Sequence, residues 1–315
     1  MENTKVTIVG AGAVGSTTAF ALAQSGLVRK IVLQDLNFER AEAEALDIMH
    51  GSLFYPAVAI KASKDPASAY GSNIVVITAG ARQKPGQTRI ELAGASIDIV
   101  KSLLPPLVKV APNAVYLIIA NPVDIVTYAA QEISGLPDTQ VFGSGTLLDT
   151  SRLRALLALK TGVNVKNIHA YIAGEHGDSE VPLWSTASIG NTLLSKFVPL
   201  PGCESLTNDL REDIHQEVVD AAYKVIAGKG ATNYAIALAV LDILTCIMRD
   251  ERRIMPVSSR VTGIDGIKDV CMSMPFVVGK KGIYEQVYQS LSDDEHRKLK
   301  ASADMLRANL AKFGY

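Results

Sequence analysis

The chain has 315 residues, enough for two packed lobes, and its 48% hydrophobic and 20% charged residues exclude a disordered protein. A formal net charge of −1, with no long block of like charge, excludes nucleic acid and an anionic membrane surface as indicated partners. Three scattered cysteines (Cys203, Cys246, Cys271) form no ligand pair or disulfide framework, and no Asn-x-Ser/Thr acceptor occurs, so a reducing cytoplasm is expected. The first strand is expected within a few residues of Met1, which leaves no room for a secretory leader, and no apolar run reaches membrane-spanning length.

Val6-Thr7-Ile8-Val9 reads as a short buried strand. It runs into Gly10-Ala11-Gly12-Ala13-Val14-Gly15 and then an Ala-rich helix over residues 16–24. Gly10 permits the tight turn, Gly12 lets the backbone approach a pyrophosphate, and Gly15 lets helix and strand pack closely. The free N–H groups and dipole of the helix start then favour the anion. A second strand, Lys30-Ile31-Val32-Leu33, ends at Asp35, 20 residues beyond Gly15. A carboxylate there suits ribose hydroxyls and repels a 2′-phosphate, so NAD is expected over NADP. The plainer reading of Asp35 is a turn carboxylate or helix cap.

Four more β-rich runs follow: Val58-Ala59-Ile60, Ile74-Val75-Val76-Ile77, Val115-Tyr116-Leu117-Ile118-Ile119 and Gln140-Val141-Phe142. Six strands alternating with helical stretches predict an α/β fold, a Rossmann-type doubly wound parallel sheet over residues 1–143. An α+β substrate domain is expected over 144–315. Ligands of such sheets bind beyond the carboxyl ends of the strands, which places Thr78-Ala79-Gly80 and Asn121-Pro122 at the cofactor. Residues 81–89, ARQKPGQTR, read equally as a closing lid or as an ordinary surface loop. Apolar residues at helical spacing follow, and Pro105-Pro106 should kink or end that helix.

From 147 to 160 the pattern is helical, with Asp149 and Arg152 on one face at i, i+3. They are either an exposed ion pair of little value, or a buried acid orienting a histidine beside a guanidinium that forks onto a substrate carboxylate. Arg154 lies roughly 140° further round from Asp149 at 100° per residue, and serves a different surface. The apolar run 168–173 then reads as a buried strand ending in Gly174-Glu175-His176-Gly177-Asp178, where His176 can take or give a proton near neutral pH. Helices are expected over 211–227 and from 232 to about 249. A β-hairpin region spans 253–282, and a last helix opens on the capping-box pattern Ser292-Asp293-Asp294-Glu295.

With these pieces in order, GAGAVG, ARQKPGQTR, ANPVD, LLDTSRLR, AGEHGDSEVP and KGATNYAIA resemble the lactate/malate dehydrogenase family nearly end to end, and within it the bacterial L-lactate dehydrogenases. The resemblance implies NAD as cofactor, hydride transfer to and from a 2-hydroxy acid, and no metal. His176 would be the acid/base and Asp149 its partner. Arg152 would hold the substrate carboxylate, Arg89 would polarise the carbonyl, and Asn121 would bond near the reacting oxygen. Thr232 would border the substrate and Ile236 the nicotinamide. Gln83 precedes Lys-Pro-Gly where malate dehydrogenases have arginine, which implies pyruvate and L-lactate, with malate dehydrogenase the alternative should Arg82 be the reader. Arg154 and His169 stand where the fructose 1,6-bisphosphate-activated members bind that effector between subunits of a homotetramer. A rival of another class is a sensor that binds NAD without turnover.

Overall fold

The computed structural model describes residues 4–81 and 89–315, with the backbone alone for Arg89 and Ile90. Strands β1 (Lys5–Val9), β2 (Lys30–Gln34), β3 (Ala59–Ser63), β4 (Ile74–Ile77), β5 (Val115–Ile118) and β6 (Val141–Gly143) run parallel in the order β3-β2-β1-β4-β5-β6. This is the doubly wound order expected from the strand–helix alternation. Strands β4 and β5 read as unbroken apolar runs because both faces are covered, and β1 breaks its run with Thr7, which bonds Ser72 in the interior. Successive side chains of β4 alternate between two apolar clusters: Val76 joins one with Leu22 and Ala23 of helix α1 (Ala13–Ser25), and Val75 and Ile77 join the other. The second cluster takes Leu104 and Leu107 from α3 (Arg89–Val110) and Val126 from α4 (Val123–Ser134). Helix α2 (Phe38–His50) starts at Asn37, whose side chain accepts the Arg40 N–H.

Helix α3 does not end at Pro105-Pro106; it continues to Val110. Val100, Leu104 and Leu107 are fully buried on either side of the prolines, so one apolar stripe crosses the break. The carbonyls that lose their donors belong to exposed Lys101 and Ser102, where water can serve them.

The second half extends the same sheet. Strands β12 (Arg253–Arg260), β13 (Cys271–Gly279) and β14 (Gly282–Gln286) are antiparallel, and Ser258 of β12 pairs with Gly143 of β6, giving nine strands in all. The run 168–173 is not one strand. It divides into β7 (Ile168–His169) and β8 (Ile172–Ala173), which belong to two different small sheets. Side chains claim the backbone groups between them: Arg154 Nε donates to the Ala170 carbonyl at 2.9 Å, and the Ile172 N–H donates to Thr150 Oγ1 at 2.9 Å. β7 pairs with β10 (Ser188–Ile189), which carries β11 (Thr192–Leu193), and β8 pairs with β9 (Val181–Pro182).

Around these lie α5 (Leu147–Thr161), α6 (Asn208–Lys229), α7 (Tyr234–Arg249) and α8 (Asp293–Ala311). The capping box opens α8 as the sequence predicts: Ser292 accepts the Glu295 N–H, and Glu295 accepts the Ser292 N–H. Leu299, Ala303, Leu306 and Leu310 form its buried stripe. Among the described residues no helix is long and apolar enough to cross a membrane.

Candidate active site

The glycine-rich turn between β1 and α1 is tight. Gly10 has φ +107°, and a Cβ at Gly10 or Gly15 would collide with Thr78 or with the Gly10 carbonyl, whereas a Cβ at Gly12 would meet open space. Thr78 Oγ1 donates to the Val9 and Gly10 carbonyls and holds the turn from the end of β4. Gly12 gives α1 no side-chain cap, so the first-turn N–H groups at Ala13, Val14 and Gly15 await an outside acceptor. Asp35 Oδ2 accepts the Ala11 N–H at 2.7 Å and Oδ1 accepts the Asn37 N–H at 2.9 Å. Its carboxylate therefore sits against the turn itself. Each oxygen keeps a lone pair, so the group can also accept a ribose hydroxyl. Thr78, Ala79 and Gly80 follow β4, and Asn121 follows β5, all at the carboxyl edge of the sheet. This cradle fits a dinucleotide: an anion-ready helix start, an unobstructed backbone at Gly12 and a carboxylate one strand away.

Beside it, His176 stands in the loop after β8, held from three directions. The Gly174 N–H donates to the Ser273 carbonyl on β13, and the Ser273 N–H donates back, both at 2.8 Å. The His176 N–H donates to Asp124 Oδ2 at 2.7 Å, and Asp124 Oδ1 accepts from Ser258 Oγ at 2.6 Å. Finally, His176 Nδ1 lies 2.6 Å from Asp149 Oδ2, which leaves Nε2 for the cavity. Asp149 is 2% exposed, and its Oδ1 accepts from an Arg152 terminal nitrogen at 2.8 Å. The i, i+3 pair on α5 is thus the buried acid with its guanidinium, not a solvated ion pair. Arg152 keeps further N–H donors for a ligand.

The electrostatics follow from this enclosure. Burial alone would lower the pKa of His176, but the Asp149 charge and hydrogen bond outweigh it, helped by Asp124 and Glu180, and raise it to about 9. Burial pushes Asp149 up, and the His176 and Arg152 charges more than reverse that, so it is held below its ordinary range. Burial raises Asp124 to about 6 against its bonds from Ser258 and His176.

A cavity of about 250 Å³ opens on this cluster, and its lining includes Asn121, Asp149, Arg152, His176, Glu180 and Tyr223. Thr232 and Ile236, just before and within the first turn of α7, do not line it. Ile236 is partly buried and packs on the cluster that Val14 also joins. Gln83 and Arg82 lie outside the described residues, as does the side chain of Arg89. Arg154 turns away to a second cavity of about 410 Å³, with its guanidinium 5.0 Å from the Tyr171 ring centre. His169 is exposed on β7 and does not line that cavity. Sequence reasoning assigned nothing to Asp124 or Glu180. Each stands close to a residue it did single out: Asp124 three after Asn121, and Glu180 four after His176.

Residues 4–143 match the NAD binding domain of lactate/malate dehydrogenase, and residues 146–314 match its alpha/beta C-terminal domain. The chain belongs to the lactate/malate dehydrogenase family. Its cofactor is NAD. Within this family it is 57% identical to an L-lactate dehydrogenase of Bifidobacterium animalis subsp. lactis, over all of this chain and 98% of that one. It is 46% identical to L-lactate dehydrogenase 1 of Clostridium acetobutylicum, over 98% of each. Among solved structures, a lactate dehydrogenase from a Medee basin deep-sea metagenome library superposes with a TM-score of 0.95 at 38% identity, over all of both chains. The minor L-lactate dehydrogenase of Enterococcus mundtii gives 0.94 at 34%, over 99% of each.

Proposed function

We propose that the chain is a cytoplasmic NAD-dependent L-lactate dehydrogenase that interconverts pyruvate and L-lactate. The observation that carries this reading is the buried Asp149 bridging His176 and Arg152 at one cavity beside the dinucleotide cradle. When bound, NAD supplies the hydride acceptor, and its reduced form the donor, at the substrate's C2. Gly10, Gly12, Ala13, Val14, Gly15, Asp35, Thr78, Ala79, Gly80, Asn121 and Ile236 would hold it.

Arg152 takes the substrate carboxylate with the N–H groups that Asp149 does not use. In lactate oxidation the C2 hydroxyl proton goes to Nε2 of neutral His176. In pyruvate reduction imidazolium returns it, while Asp149 stabilises the positive ring and fixes its tautomer. Asp124 holds the backbone under His176 and Asp149 holds its ring, and neither carboxylate takes the proton itself. Arg89 would polarise the carbonyl, Asn121 would bond near the reacting oxygen, Thr232 would border the substrate pocket, and Gln83 offers a second carboxylate no counter-charge.

The enzyme works as a homotetramer activated by fructose 1,6-bisphosphate through Arg154 and His169. Support comes from their position on surfaces turned away from the catalytic cavity and from large apolar side chains left exposed on this chain, among them Leu53, Phe54 and Leu238. Initial rates with NADH and either pyruvate or oxaloacetate, with and without the sugar bisphosphate, test the whole reading. A preference for oxaloacetate would make the chain a malate dehydrogenase, and NADH binding without turnover would make it a sensor.

A further inference from the structure

That mechanism leaves two buried acids of the cavity without work: Glu175, which accepts from Ser179, and Glu180. Glu180 sits between His176 and β9, is 4% exposed, and lines the same cavity as Arg152. A carboxylate oxygen of Glu180, a ring nitrogen of His176 and an oxygen of Asp149 all lie within 4.8 Å of one another. Its Oε1 has no hydrogen-bond partner, and among the described residues no lysine or arginine pairs with it. The groups that face it are Asp149 and Arg152 from α5, and Glu175 and His176 from its own loop. From α6, His215 meets the Glu180 backbone, with Glu212 and, from α8, Lys298 acting on that histidine. At the rim Asp178 accepts from Tyr223 at 3.0 Å.

A second bare carboxylate here would stand against Asp149 and compete with an incoming anion for Arg152. Burial first, and then the Asp149 charge, push Glu180 up to about 9, so it is uncharged in neutral solution. We propose that Glu180 is a positioning residue acting through charge: the keto-acid carboxylate settles on Arg152 only while Glu180 carries its proton. This rests on the reading above that Arg152 receives that carboxylate. Binding is then linked to two protons, one on His176 and one on Glu180, and no atom of Glu180 enters the reaction.

The test is proton uptake on binding oxamate, a pyruvate-shaped anion without a reducible ketone, to the NADH complex. Calorimetry near pH 10 in two buffers of different ionisation enthalpy counts the protons. Roughly two are expected for wild type and about one for Glu180→Gln, by linkage. In parallel, pyruvate kcat/KM should fall above pH 9 with a limiting slope near minus two in wild type and minus one in the variant. Uptake of one proton or fewer by wild type overturns the proposal whether or not the variant folds. Two in both proteins also overturns it, by placing the second proton elsewhere. Failure of wild type to turn over pyruvate at neutral pH sinks the substrate reading and this proposal together, whereas normal turnover with one proton taken up sinks this proposal alone.

Discussion

Replacing Asp149 by asparagine keeps the shape of the His176 contact and removes its charge. In the folded enzyme the imidazole holds its proton up to about pH 9 instead of 6.5, because the Asp149 charge and hydrogen bond overcome a burial effect of opposite sign. The raised value means the proton is present below pH 6.5 in either protein, and is lost as pH rises through 9 in wild type only. Without that charge only the smaller pull of Asp124 and Glu180 opposes burial, and the group falls back toward its ordinary value of about 6.5. At pH 8 the imidazolium fraction then drops from roughly 0.9 to roughly 0.03, about a 30-fold loss of the proton donor. At pH 5.5 both proteins are protonated and this part of the defect vanishes. Whatever remains there reports Arg152, which loses its buried partner, and the lost stabilisation of the charged ring. The assay is NADH oxidation with limiting pyruvate from pH 5.5 to 9.5. The wild-type to Asp149→Asn ratio of kcat/KM should grow about 30-fold between pH 5.5 and 8, with the alkaline limb displaced by about two and a half pH units. A ratio that stays flat across that range would show that Asp149 orients His176 without setting its proton affinity.

Other substitutions separate the remaining roles. Asp35→Ser should shift the NADP-to-NAD efficiency ratio towards NADP by roughly fivefold or more, the worth of about 1 kcal/mol for a solvent-accessible charge pair. The ratio is the quantity to read, since Asp35 also accepts the Ala11 N–H and its loss disturbs the turn for both cofactors; an unmoved ratio removes it from the ribose. Arg154→Gln should raise the fructose 1,6-bisphosphate concentration needed for half-activation roughly 10- to 100-fold, as expected for one charge-assisted bond, and activation equal to wild type would take Arg154 out of the effector site. Gln83→Arg should turn preference from pyruvate toward oxaloacetate by roughly two to four decades, because leaving one partner of a buried charge pair unmatched costs about 3–5 kcal/mol. A wild type that already prefers oxaloacetate makes Arg82 the reader instead.

Local spacing carried most of what the sequence could say about this site. The glycines and Asp35 are separated by one helix and one strand, and Asp149, Arg152 and Arg154 by turns of a single helix, so their relative placement follows from 3.6 residues per turn and the βαβ unit. The second half's sheet was less legible. A hairpin can be read from β12 and β13, but its docking on β6 rests on Ser258 meeting Gly143, a pairing no local pattern announces. The run 168–173 has the burial of one strand and the pairing of two, because Arg154 and Thr150 take backbone groups that a ladder would have used.

Asp124 and Glu180 show where such reading stops. Both lie inside motifs already singled out, yet neither motif says how much water a carboxylate keeps. Asp124 is bonded to His176, 52 positions away, and to Ser258, 134 away, and is 2% exposed only because α4, β12 and the His176 loop close around it. Glu180 is closed in by α5, α6 and its own loop. Sequence supplies the acid, and enclosure sets its charge: in water both would be ionised well below neutral pH, and here burial raises both. The charge of this cavity near neutral pH is therefore a property of packing. Asp149 stays ionised because His176 and Arg152 flank it, and Glu180 holds its proton because burial and the Asp149 charge outweigh the pull of His176 and Arg152 on it. In the Asp149–His176–Arg152 triad one negative charge lies between two positive ones, and a protonated Glu180 adds no further anion to compete with the substrate for Arg152.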